Sequence, residues 1–224
     1  MKFAAASDLH GQCRSLHDLL ERAVNLGAEF LVLGGDLTNA EYSGYSTGIK
    51  QIAMISSIIE SSGMETIYVL GNRDQAGGRC VECDLPGDLA KKDVEIDGYI
   101  FTNELDGVFE KSIYLNHQLD PGLRSRRSEA LLVLYGHDHV PRLYRNYVGL
   151  GYLNNPDGAG GPRGGFFMIE IGDGVAGIEY VSMGGMIESC CSKHADQGIF
   201  YVPCSWGSSC PMCRNDEKYR FHFS

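Results

Sequence analysis

Short apolar runs alternate with amphipathic stretches through the first third of this chain. Residues 3–7, 30–33 and 66–70 are runs of small and β-branched or aromatic side chains, which read as buried strands. Between them Leu16, Leu19, Leu20, Ala23, Val24 and Leu26 recur at helical spacing, with Gly27 as a stop. Ile49, Ile52, Ala53, Ile55, Ile58 and Ile59 mark a second amphipathic helix, and the polar stretch 38–47 before it reads as a loop. This β-α-β-α-β order predicts parallel strands joined by right-handed crossovers. Ligands of such sheets bind beyond the carboxyl ends of the strands.

The pattern then changes. Residues 75–111 are punctuated by Gly77-Gly78, Pro86-Gly87 and Gly98, and the length of the stretch from Asp74 to His117 leaves room for a lid or subdomain. Runs at 112–115, 131–135, 143–148, 165–171 and 178–182 read as strands without intervening helices. Beyond Met183 the composition shifts to Gly, Ser and Cys. The expected organisation is one domain over residues 1–182 and a Cys-rich tail over 183–224, with no internal repeat.

Four polar clusters stand at the ends of predicted strands: Asp8-Leu9-His10, Gly35-Asp36, Gly71-Asn72-Arg73-Asp74 and Gly136-His137-Asp138-His139. Strand-end placement brings Asp8, Asp36 and Asn72 together in space. The i, i+2 spacing of Asp8 with His10, and of His137 with His139, turns each pair to one side of an extended strand exit. Carboxylate, amide and imidazole donors without thiolates suit two divalent cations that activate a water for attack on phosphorus. Asp36 is the candidate bridging carboxylate. Gly34-Gly35 lacks the Lys-Ser/Thr of a phosphate-cradling P-loop.

Composition narrows the options. A chain of 224 residues with 43% hydrophobic and 21% charged residues is globular in type. Its formal charge of −10 argues against nucleic acid as a partner, which needs a basic surface. No apolar run reaches membrane-spanning length, so no membrane partner is expected. The apolar start is too short for a secretory signal and runs straight into Asp8, which predicts cytoplasmic residence. The eight cysteines are then expected reduced or metal-bound.

The cluster order resembles the calcineurin-like metallophosphoesterases, whose signature runs D-x-H, G-D, G-N-H-[DE], H, G-H-x-H. It is most similar to the small single-domain prokaryotic phosphodiesterases of that superfamily, which share a segment standing here as Asn155-Pro156 and Gly160-Gly161-Pro162-Arg163-Gly164-Gly165. The resemblance covers roughly residues 1–182. It implies an α/β fold, a two-sheet sandwich flanked by helices. It implies one metal on Asp8, His10, Asp36 and His139, and a second on Asp36, Asn72, His117 and His137. Manganese is the leading candidate, with iron, zinc, nickel or cobalt also suited to such ligands. A metal-bridging hydroxide would then attack a small phosphoester, a diester in preference to a monoester. Phosphomonoesterase, nuclease and non-catalytic scaffold are the alternatives, and homo-oligomerisation is left open.

Arg73 departs from the family, which commonly has His there. An arginine stays protonated and cannot be a general acid near neutrality, but it can steady charge on phosphate. Asn72, Arg73 and Asp74 are the catalytic candidates, with Asp74 expected to orient Arg73 by an ion pair. Asn116-His117-Gln118 replaces the usual T-H-G-H, and Asp157-Gly158 a usual Gly-Ser. Arg124, Arg126 and Arg127 read as a solvated face, and His17 and His222 as exposed residues. Cys80-x-x-Cys83 and Cys210-x-x-Cys213 each have zinc-knuckle spacing, with Cys190, Cys191, His194 and Cys204 as further donors. A zinc clamping the tail onto the 75–111 segment is one expectation, and free thiols the other.

Overall fold

The computed structural model describes residues 1–107, 109–124, 128–153, 163–189, 191–207, 209–213 and 216–222. Arg126, Arg127, Asn155-Pro156, Asp157-Gly158, Gly160-Gly161-Pro162 and Cys190 lie outside them.

The chain opens with β1 (Lys2–Ala6), α1 (Cys13–Asn25), β2 (Phe30–Leu33), a short α2 (Ala40–Ser43), α3 (Tyr45–Ser62) and β3 (Glu65–Tyr68). The three strands pair in parallel, Phe3 beside Phe30 and Phe30 beside Glu65. Strand β1 is extended on its other side by the antiparallel pair β12 (Gly165–Gly172) and β13 (Val175–Ser182), which completes a five-stranded sheet. Helix α1 buries Leu16, Leu19, Leu20 and Ala23, spaced three and four apart, and α3 buries Ile52, Ile55 and Ile59 in the same way. Helix α3 ends at Gly63, whose left-handed φ of 70° lets the chain turn back.

Side-chain alternation divides the interior. Ala4, Ala6, Leu31 and Leu33 face the two helices, whereas Phe3, Ala5, Phe30 and Val32 face the second sheet. That sheet contains β6 (Val94–Ile96), β7 (Tyr99–Thr102), β8 (Ser112–Asn116), β9 (Leu132–Tyr135), β10 (Pro141–Tyr144), β11 (Tyr147–Leu150), β14 (Met186–Glu188) and β15 (Ile199–Pro203). Ile113, Leu115, Leu132, Leu134, Val148 and Leu150 meet the first sheet, while Tyr114, Val133, Tyr135 and Tyr147 face outward onto Leu119, Leu123 and Phe221. The α/β two-sheet sandwich is therefore present. Its far side is covered by the 3₁₀ turn Pro121–Arg124 and the C-terminal segment, including the short α4 (Asp216–Tyr219).

Three local expectations need correction. The polar stretch 38–47 is largely helical, because the side chain of Thr38 and the amide of Gly44 satisfy backbone groups around α2. The run 143–148 is two strands of a hairpin, β10 and β11, with Arg145 at a φ of 55° in the turn. Apolar content alone does not reveal a tight turn without glycine. The 75–111 segment forms no lid among its described residues. It makes a small hairpin, β4 (Gln75–Ala76) with β5 (Arg79–Cys80), and then supplies β6 and β7 to one edge of the second sheet.

The segment after Met183 joins the same sheet at the opposite end, since β15 pairs with β10 at Arg142 and Leu143. Arg142 is almost fully buried and donates to the carbonyls of Gln197 and Tyr219, so two points of the tail are tied to one strand. The expected zinc clamp between Cys80/Cys83 and Cys210/Cys213 is not formed. Cys80 is exposed and Cys83 is buried under α3, and the donors that gather around Cys210 and Cys213 come from the tail itself.

Candidate metal centre

The ligand loops leave the ends of β1, β2 and β9, and the loops after β3 and β8 meet them. Cross-loop backbone hydrogen bonds set their mutual positions: Asp8 N–H donates to Gly35 O, His10 N–H to Asp36 O, Gly11 N–H to Leu37 O, and Gly136 N–H to His117 O. Asp8, His10, Asp36, His137 and His139 all have φ between 49° and 62°. Such left-handed backbone is of order 1–3 kcal/mol above the usual wells for a residue with a Cβ, and Asp and His tolerate it better than most. Asp8 and His10 do share one side, but through these left-handed turns rather than an extended exit, with Leu9 buried between them. Two glycines permit the close approach. A Cβ on Gly71 would collide with the Asp36 carboxylate, and one on Gly136 with Ser7 Oγ.

Asp8, His10, Asp36 and His139 each present one donor atom within 4.8 Å of the others. His10 Nε2 and His139 Nε2 face each other at 3.4 Å, and His139 Nε2 lies 2.9 Å from Asp8 Oδ1. The Asn39 amide is oriented by donating to the His10 carbonyl, so its Oδ1, 3.2 Å from His10 Nδ1, accepts the imidazole proton there. His10 Nε2 is thus left as a lone pair pointing into the cluster. Asp8 Oδ2 accepts from Ser7 Oγ and the His137 amide, while Asp8 Oδ1 is buried without a hydrogen bond.

A second group adjoins the first through Asp36. Its Oδ1 lies 3.3 Å from His117 Nε2, which is in turn 3.1 Å from Asn72 Oδ1. His137 Nδ1 lies 2.9 Å from the same Asn72 oxygen. His117 Nδ1 donates to the Gly34 carbonyl at 2.8 Å, which directs Nε2 toward Asp36. Nitrogen and oxygen donors facing one another around the buried Asp8 Oδ1, beside which stand the His139 and His10 imidazoles, fit a cation.

Electrostatics follow the same geometry. Burial works against the charge on His117, but the facing Asp36 and Asp8 carboxylates outweigh it and raise its pKa to about 9. Burial alone would push Asp36 up, and His117 together with the Arg73 amide holds it below the ordinary value. Burial lowers His10 despite Asp8 and Asp36, and burial with the neighbouring His117 lowers His137.

All seven expected ligand side chains converge, His117 included. The third cluster behaves differently from expectation. Arg73 does not pair with Asp74. Its Nε lies 3.7 Å from Asp36 Oδ2, its amide donates to Asp36 Oδ1 at 2.8 Å, and its guanidinium stacks 4.3 Å over the Tyr42 ring. Asp74 is fully buried and accepts from the amides of Gly71, Leu37 and Thr38 and from Thr38 Oγ1. Burial, opposed by those amides, raises its pKa to about 6. It ties the Asp36 loop to the Asn72 loop from behind. Asn39, Tyr42, Ser7 and the Gly34 carbonyl have no signal in the sequence, because their contacts are set by loop geometry. Arg124 is half-buried against Asp138, not a solvated charge, whereas His17 and His222 are exposed.

The calcineurin-like phosphoesterase superfamily domain matches residues 1–171, and the chain belongs to that superfamily. Among solved structures it is similar to TT1561 of Thermus thermophilus, with a TM-score of 0.50 and 14% identity over 80% of this chain and 98% of that one. It is also similar to YfcE, a phosphoesterase from E. coli (TM-score 0.46, 20% identity, 82% and 100% covered), and to an archaeal phosphodiesterase (0.48, 16%, 81% and 100%). At these identities the likeness to the first speaks for the fold alone. No curated protein matches the chain.

Proposed function

From that membership we propose a metal-dependent phosphoester hydrolase that prefers diesters. One divalent cation would be held by Asp8, His10, Asp36 and His139, the other by Asp36, Asn72, His117 and His137. The observation that supports this most is the position of Asp36, one carboxylate touching both donor groups. When bound, two such cations polarise phosphoryl oxygens and acidify a shared water. Manganese is the first candidate, with iron, zinc, nickel or cobalt also suited to these nitrogen and oxygen donors.

The chain's own residues do the rest. Arg73, partly exposed beside Asp36, offers its guanidinium to the phosphate oxygens as negative charge grows. Tyr42 supports that guanidinium from its far face. Asn72 can turn its amide toward a substrate oxygen, and Asp74 acts only by fixing the loops that carry Asp36 and Asn72. Every histidine of the centre is engaged as a ligand, and position 73 carries no acid, so nothing here protonates a poor leaving alkoxide. A diester whose leaving oxygen a bound cation would assist tolerates that deficit better, which is the reason for favouring diesters over monoesters. Residues 1–182 would carry this chemistry, in a cytoplasmic protein, with 183–224 as an extension.

Turnover of aryl mono- and diesters by wild type and His137→Ala, with metal content measured on both, tests the reading. A faster diester reaction and a loss of about 10²–10³ in His137→Ala with the fold intact are expected. Preference for the monoester would replace the substrate assignment, and equal turnover in the two proteins would remove His137 from the centre.

A further inference from the structure

Outside the phosphoester centre, four soft donors meet at the end of the second sheet. Cys191 Sγ lies 3.6 Å from His194 Nδ1 and 3.6 Å from Cys213 Sγ. His194 Nδ1 lies 3.2 Å from Cys210 Sγ and 3.8 Å from Cys213 Sγ, and the two last sulfurs are 3.8 Å apart. All four atoms fall within 4.8 Å of one another. We propose that Cys191, His194, Cys210 and Cys213 form a structural zinc site that staples the C-terminal segment together.

The geometry carries the argument. Zinc with bonds of about 2.3 Å to sulfur and about 2.0 Å to nitrogen has tetrahedral edges of about 3.5–3.8 Å. Four of the five separations fall in that range, and His194 Nδ1 to Cys210 Sγ is shorter at 3.2 Å. They are far longer than a disulfide bond of about 2.05 Å, so the sulfurs are not paired covalently. Three thiolates and one imidazole are a closed donor set for zinc, leaving no position for substrate.

The sequence agrees in a way that pairing Cys80/Cys83 with Cys210/Cys213 obscures. Cys191-x-x-His194 and Cys210-x-x-Cys213 flank residues 195–209, an interval like the roughly 15–20 residues of a zinc ribbon. The site also has work to do. Among the described residues from Met183 on there are only short strands and short helical turns, with a small cluster of Val140, Phe200, Val202, Cys210 and Met212 as their core. Cores this small ordinarily need a metal or a covalent link.

Metal analysis and cobalt substitution of the reduced full chain test the proposal. Wild type should keep about one zinc after a brief chelator wash that strips nitrogen and oxygen sites. Cobalt in its place should show thiolate-to-cobalt charge-transfer bands, which no nitrogen–oxygen site gives. Both signals should vanish in Cys210→Ser/Cys213→Ser and persist in Cys80→Ser/Cys83→Ser. A wild-type spectrum without thiolate bands, or bands that survive in the first variant, would overturn the site. If that variant precipitates, His194→Cys decides: stronger charge-transfer bands support the assignment, and an unchanged spectrum refutes it.

Discussion

The two ligand groups of this chain are assembled by opposite means. The nitrogen–oxygen centre draws side chains from Asp8 to His139, and only the convergence of several strand ends brings them together. The Cys/His group is local, with all its donors between residues 191 and 213 on short turns. In the first, the sheets hold the ligands, and losing one ligand should leave the sheets intact. In the second, the ligands hold the chain. The same elementary act of coordination is therefore expected to serve reactivity in one place and stability in the other.

Asp36→Asn is the strongest challenge to that contrast. It keeps the shape and the Arg73 amide contact but removes the shared charge, so turnover should fall by about 10³, several kcal/mol of charge stabilisation, with Tm near that of wild type. A large loss of Tm would show that the centre is also structural. Asn39→Ala, which frees His10 Nδ1 without touching the cluster, should weaken metal binding by about 10–100-fold in titrations, again without unfolding. Acid should act in the same direction. His117 has a pKa of about 9 in the metal-free protein and must lose its proton to ligate, so calorimetry should show affinity falling by about tenfold per pH unit from roughly pH 9 to 7. The smallest effect on turnover belongs to Cys210→Ser/Cys213→Ser, whose activity at saturating manganese should stay within about threefold, while Tm drops by roughly 5 °C, near 2 kcal/mol. The reverse ranking, with turnover lost and Tm kept, would collapse the distinction.

The nitrogen–oxygen centre is the more legible of the two in sequence. Asp8, Asp36 and Asn72 follow apolar runs whose parallel order dictates where their ends meet, and no contact has to be known in advance. Arg73 invites pairing with Asp74 because they are adjacent, but adjacency in sequence says nothing about direction. Asp74 turns inward to the amides of Leu37 and Thr38, and Arg73 turns outward to Tyr42. Strands β10 and β11 read as one run because the apolar positions on both sides mask the single turn-favouring residue between them, Asn146. The soft site is hard to see because cysteine pairs alone do not point to His194, which completes the spacing.

The left-handed backbone at Asp8, His10, Asp36, His137 and His139 has a further bearing. Hydrogen bonds between loops hold these bends in their ligating posture. Little ordering entropy is then left to lose on capture, and the affinity of the arriving cation goes into its bonds. The same bend also screens which residues can occupy these positions. Conformational tolerance and donor chemistry favour the same few side chains, so a drift toward bulky β-branched residues is penalised twice.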